Sequence, residues 1–183
     1  VSSLDSNLRV DLHGKGCYRV SQIKKVMAEQ SKRGALGRFN VGPKFAHYSI
    51  RNWVEYFGLY NKKSKDKFIP KEIFNLPKYQ LSFFLNRLFS CDGTIYKTNG
   101  GWFAGYCSSS KEMIYQVQHL LLRFGVLSKT RNKNIKLNGK IFYSYELEIG
   151  GENVNQYLQE IGFYGKKEER AKTALIESIK IIR

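Results

Sequence analysis

Residues 81–93 read Leu81-Ser82-Phe83-Phe84-Leu85-Asn86-Arg87-Leu88-Phe89-Ser90-Cys91-Asp92-Gly93, and the rest of the chain is organised around them. Leu81, Phe84, Leu85, Leu88 and Phe89 recur at i, i+3, i+4, i+7 and i+8, the stripe of an amphipathic helix. Pro77 is placed to open that helix and Gly93 to close it. Downstream, the pattern predicts short strands over 94–98 and 102–108, joined through Asn99-Gly100-Gly101. A helix over 111–124 follows, with Ser110 as N-cap and Gly125 past its end. A basic strand from Ser128, an Asn138-Gly139 turn, a strand over 141–149 and a closing helix from Asn153 complete the order αββαββα, an α+β unit.

The chain also repeats itself. Gly58-Leu59-Tyr60-Asn61-Lys62-Lys63 aligns with Gly162-Phe163-Tyr164-Gly165-Lys166-Lys167 at an offset of 104, and each follows a short helical pattern. Leu12-His13-Gly14-Lys15 aligns with Leu137-Asn138-Gly139-Lys140 at an offset of 125, both as hairpin turns. The difference of 21 residues is accounted for by a basic insertion at about 22–44 in the first copy. On this reading residues 1–75 are the C-terminal part of a first repeat, 76–172 a complete second repeat, and 173–183 a C-terminal helix or linker. About 45 residues of the first repeat, including its opening helix, are then expected upstream of Val1.

The 183 residues carry 31 Lys and Arg against 15 Asp and Glu, a formal charge of +16, yet 42% are hydrophobic and 14% aromatic, enough for a core. A folded domain with such a field is suited to a polyanion, and nucleic acid is the first candidate. Lys129, Arg131 and Lys133 fall at strand period two and so point to one side. Lys136 and Lys140 extend the run, which contains no acid. No segment combines a basic face with an apolar one as a membrane-surface helix requires, and no apolar run reaches the length of a membrane span. Three cysteines without C-x-x-C spacing and three scattered histidines suggest neither a disulfide framework nor a zinc site. A soluble protein of the cytoplasm, the nucleoid or the plastid stroma is the expectation.

Leu85 to Gly93, at the end of an apolar helix inside an αββαββα unit, resembles the second motif of a LAGLIDADG homing endonuclease of the intein-encoded type. Lys67-Phe68-Ile69-Pro70, then Leu76-Pro77 and the helix, is similar to the stretch preceding that motif. The wording Phe84 to Ser90 most resembles inteins inserted in replicative helicases. The resemblance covers the chain from Val1 to about Lys172. It departs from the family at Arg87, where a small residue lets two motif helices pack closely, and at Ser90, where an acid is usual. We read Arg87 as turned out of the tightest contact. In isolation the segment also describes an ordinary core helix ending in an Asp-Gly turn.

The resemblance implies a saddle of two pseudo-twofold αββαββα repeats, the first incomplete here, that binds double-stranded DNA and cleaves it with Mg²⁺. Phosphodiester hydrolysis at neutral pH calls for a hard cation that carboxylates hold. The implied metal ligands are Asp92 and the carbonyl of Cys91. Lys67 is the implied catalytic lysine by motif position, with its repeat partner near Lys172 and Arg170 as substitute. By repeat position the DNA contacts are Arg9, Lys15 and Arg19 in the first half. In the second they are Tyr96, Lys97, Asn99, Lys129, Arg131, Lys133, Lys136 and Lys140. Trp102 and Tyr106, alternating on one side of their strand, are read as core or as contacts.

Two strands need two acids, and this chain shows one, so a double-strand break is expected to require the first-repeat helix from the same precursor or another chain. The alternatives are a non-catalytic DNA-binding protein on the same fold and an RNA-binding maturase. The nucleophile and terminal His-Asn of protein splicing are not supplied by Val1 or by Ile181-Ile182-Arg183.

Overall fold

The computed structural model describes residues 8–12, 18–22 and 49–181. Two compact units are present, Val1–Tyr60 and Asn61–Arg183. In the first, β1 (Leu8–Leu12) pairs antiparallel with β2 (Tyr18–Gln22), and α1 (Ser49–Tyr56) follows. Lys15 and residues 23–44 of the basic insertion lie outside the described residues.

In the second unit a 3₁₀ turn at Ser64–Asp66 and the short α2 (Lys71–Phe74) lead into α3 (Lys78–Asp92). Then come β3 (Gly93–Thr98), β4 (Gly101–Ser108) and α4 (Lys111–Leu122). β5 (Lys129–Leu137), β6 (Lys140–Gly150) and α5 (Glu152–Glu160) follow. After a 3₁₀ turn at Gly165–Lys167, α6 (Glu168–Ile181) closes the unit. The run from α3 to α5 is αββαββα. Four antiparallel strands form one sheet in the order β3-β4-β6-β5.

Local chemistry sets these boundaries. Pro77 stands at the N-cap of α3, where its missing N–H costs nothing. Gly93 turns the chain directly into β3, and a Cβ there would sit 2.6 Å from the carbonyl oxygen of Phe89. Ser110 caps α4, its Oγ accepting from the backbone N–H of Met113 at 3.1 Å. Asn138 and Gly139, with φ of 50° and 72°, make the two-residue turn that joins β5 to β6.

The alternation of each strand divides the sheet into two faces. Ile95, Trp102, Ala104, Tyr106, Leu147 and Ile149 are buried on one face, with Leu81, Leu85 and Phe89 of α3 and Val117 and Leu121 of α4 in the same core. Trp102 and Tyr106, left open between core and contact, are core. Phe89 is the hub: its ring lies 5.3 Å from Tyr106 and 4.9 Å from Tyr157, centroid to centroid. The segment 61–75 packs on this unit. Ile69 N–H donates to Gln116 Oε1, and Arg123 donates to the carbonyls of Phe74 and Leu76. The helix expected within 173–183 begins at Glu168, where two acids in the first turn suit the positive helix end.

The repeat at offset 104 has a backbone counterpart. Gly58 and Gly162 take φ of 67° and 64°, and Asn61 and Gly165 take 59° and 69°. Both copies therefore enter the left-handed region at the same two positions of the Gly-x-Tyr-x-Lys-Lys motif, where Gly and Asn are the residues best tolerated. Lys63 and Lys167 are equivalent by this alignment.

Phe89→Ala is expected to lower stability by about 3–5 kcal/mol, read as a reduced urea midpoint at unchanged slope. Phe83→Ala, on the exposed side of the same helix, is expected to change it by no more than about 0.5 kcal/mol.

Candidate nucleic-acid interface and cleavage site

At the C-terminal end of α3 the Phe89 carbonyl accepts from the Gly93 N–H, and the carbonyls after it lie beyond the helical ladder. Lys167 answers them. Its Nζ donates to the carbonyl oxygens of Phe89, Ser90 and Cys91 at 3.2, 2.7 and 3.3 Å. The loop that carries Lys167 is fixed by α3 itself. Asn86 Nδ2 donates to the carbonyl of Ile161, and Ser90 Oγ accepts from the Tyr164 N–H at 2.7 Å. The Arg87 guanidinium lies 3.7 Å from the centroid of the Tyr164 ring. The two residues that depart from the family pattern, Arg87 and Ser90, both serve this junction.

Burial holds the Lys167 pKa below the ordinary ammonium value, while the neighbouring Cys91 and Asp92 pull the other way. The three carbonyls favour the protonated form, which alone offers three donors. Sequence reasoning missed Lys167 because it weighed Lys172 as the repeat partner of Lys67. The available signal was the Lys63 and Lys167 alignment. Lys172 is instead exposed on α6, paired with Glu168 at 2.8 Å, and that hydrogen bond raises its pKa. Arg170 lies over the Trp102 ring. Lys67 is exposed, and its carbonyl accepts from Ser110 Oγ at 2.6 Å. The structure brings neither Lys67 nor Lys172 into hydrogen-bond contact with Asp92.

Asp92, the last residue of α3, is exposed and lines a cleft of about 220 Å³ with Tyr96, Cys107, Arg131, Glu146 and Glu148. Tyr106 lies beneath, its phenol pushed up by burial and then by Asp92. No group of three or more His, Cys, Asp or Glu able to hold a metal occurs among the described residues. Asp92 is a single exposed carboxylate, a ligand type that Mg²⁺ takes. The Cys91 carbonyl is already engaged by Lys167.

The cleft opens on the uncovered face of the sheet. Strand register aligns Lys129 with Glu148, Arg131 with Glu146 and Lys133 with Ser144, and places Tyr96 opposite Phe103. Lys129, Arg131, Lys133 and Tyr96 thus share this face, as the period-two spacing implies for the first three. Lys97 does not. It alternates to the covered side, where Nζ pairs with Glu177 at 2.7 Å and lies over the Trp102 ring. Lys136, aligned with Ile141, is on the side opposite Arg131, and Asn99 is exposed in the β3–β4 turn. Arg9 lies exposed on β1 in the other unit. Arg19 lies on β2, and its side chain and that of Lys140 are outside the described residues.

Two acids of β6, absent from the sequence reading, organise the open face. Glu146 accepts from Arg131 Nε at 2.7 Å and from Lys133 Nζ at 3.0 Å. Glu148 accepts from the Tyr96 hydroxyl and lies 3.9 Å from Arg131. Burial and Glu148 raise the Tyr96 pKa to about 12. For Glu146, burial pushes upward, but the hydrogen bonds from Lys133 and Arg131 prevail and hold the carboxyl below its ordinary value.

Residues 80–162 match the sequence profile of the LAGLIDADG-like domain. The matched segment runs from within α3 to just past α5. Over 135 residues, 72% of the chain, it is 31% identical to the replicative DNA helicase DnaB of Synechocystis sp.. Over 128 residues, 70% of the chain, it is 35% identical to the replication factor C small subunit of Methanocaldococcus jannaschii. A DnaB helicase of Nostoc sp. is 32% identical over 125 residues. The chain spans 15%, 6% and 14% of these relatives. Asp92 and the α3 end that Lys167 caps lie within the matched LAGLIDADG-like segment, as do Arg131, Lys133 and both β6 acids.

Two outcomes check this geometry. Lys167→Met keeps the stem and removes the three donors, and is expected to cost about 1–3 kcal/mol of stability in urea unfolding. The lowered Glu146 pKa contributes stability that is present above the unfolded carboxylate value and lost as pH falls through the folded one. Between about pH 7 and pH 3, Glu146→Gln is therefore expected to lose less of its urea midpoint than the parent chain.

Proposed function

We propose that this chain is the DNA-cleaving part of an intein homing endonuclease that hydrolyses phosphodiester bonds with Mg²⁺. The observation that carries the reading is the exposed Asp92 at the end of the LAGLIDADG-like helix, in the cleft that opens on the basic sheet face. The intein setting is supported by the relatives. One segment, a small fraction of each, recurs in a replicative helicase and in a replication factor C subunit, as expected of an insert that moves between hosts.

In this reading the open face receives duplex DNA. Lys129 meets phosphate, and Arg131 and Lys133 reach base edges in the major groove, where guanine offers acceptors to a cation. Asp92 would hold the Mg²⁺, which would supply charge stabilisation at the phosphoryl oxygens and an acidified water. Lys167 keeps the helix end neutral enough for a carboxylate to remain exposed there. Cutting both strands requires a counterpart acid on a first-repeat helix, completing the pseudo-twofold arrangement.

The test uses a supercoiled plasmid carrying a duplex sequence selected by the chain from a random library. With one acid present, the expected Mg²⁺-dependent product is nicked circle. Asp92→Asn is expected to leave duplex affinity unchanged and to remove nicking. Salt-sensitive binding without nicking by the parent chain selects the non-catalytic DNA-binding alternative, and preferential competition by structured RNA selects the maturase.

A further inference from the structure

Arg131 and Lys133 have the exposure of phosphate-binding residues but not the free charge. With Glu146 and Glu148 they form a four-residue cluster of zero net charge. Glu146 is the better-buried member, its side chain 17% exposed against 64% for Arg131 and 55% for Lys133, so the acid is the fixed point and the cations are oriented around it. Tyr96 completes the set through its hydrogen bond to Glu148. Lys129, on the same face, has no acidic partner among the described residues.

We propose that Glu146 and Glu148 are positioning residues that convert this part of the sheet from a phosphate binder into a base reader. The inference rests on the reading that the open face receives duplex DNA. A cation already neutralised by a carboxylate releases few counterions when it meets a phosphate, so this cluster adds little to general affinity. What it adds is direction. With Nε of Arg131 committed to Glu146, the remaining N–H donors of the guanidinium are aimed rather than free, the condition for a two-pronged contact to guanine O6 and N7. The carboxylates also penalise the wrong sequence. Where no base donor such as a cytosine amine meets them, their remaining acceptor positions face phosphate and base acceptors.

The experiment measures duplex binding by the full chain at several salt concentrations and the sequence enrichment it produces from a random 30-base-pair library. Glu146→Gln keeps shape and removes the charge. It is expected to steepen the dependence of log affinity on log salt by about 0.9, a roughly eightfold gain on random duplex at 0.1 M salt. It is also expected to reduce the enrichment of the selected sequence about fivefold or more. Lys129→Gln is the contrasting variant, with a salt slope shallower by about 0.9 and enrichment unchanged. If Glu146→Gln leaves slope and enrichment as they were while Arg131→Ala weakens binding of the selected sequence, the positioning role is wrong and the DNA-facing assignment stands. If Arg131→Ala and Lys133→Ala both leave affinity for the selected sequence untouched, the DNA-facing assignment itself is wrong.

Discussion

One ammonium on three carbonyls is the contact around which the site is built. The end of α3 concentrates negative potential from its terminal carbonyls, and Asp92 adds a carboxylate where the helix dipole least favours one. Lys167 meets those carbonyls directly, and the loop presenting it is held by Asn86, Arg87 and Ser90 of the same helix. The helix therefore positions its own counter-charge. The Lys167 ammonium is engaged by those carbonyls, and the Asp92 carboxylate lines the cleft.

The two sides of the sheet divide the chain's basic residues into two kinds. On the covered side Lys97 serves packing, with Glu177 accepting from it and from the Trp102 indole N–H. On the open side the cations of β5 meet the acids of β6 across one ladder. The same residue type at the same strand spacing is thus structural or available to a ligand according to parity alone. A one-residue change of register would exchange the two sets.

The elements were legible because each is fixed by neighbours in sequence. The 3.6-residue stripe and its Pro77 and Gly93 limits give α3, and the alternation around Asn99-Gly100-Gly101 and Asn138-Gly139 gives the hairpins. Asp92 stood out only through the motif that residues 85–93 resemble, since the helix pattern alone describes an ordinary Asp-Gly turn. What was hidden depends on partners far away in the chain. Lys167 finds carbonyls 76 to 78 positions earlier. Glu146 and Glu148 are separated from Arg131 and Lys133 by the whole β5–β6 turn, and only the register shows which charges face each other. The side of the sheet that Lys97 takes was hidden for the same reason. Its exposure and charge suit DNA, but its parity follows Ile95 into the covered side.

The formal excess of +16 overstates the charge this fold offers to a polyanion at any one place. Lys78, Lys97, Arg131, Lys133 and Lys172 each have an acidic partner, so their contribution to the far field is largely cancelled. Exposed pairs of this kind add little to stability, and their value lies in fixing side-chain direction. The attractive field comes instead from cations such as Lys129 and Lys136 and from the run at Lys62, Lys63, Lys65 and Lys67. In the proposed function these govern how strongly a duplex is drawn in, and the paired set governs which duplex fits. Keeping the two functions on different residues lets sequence preference change at the paired positions without altering the long-range attraction.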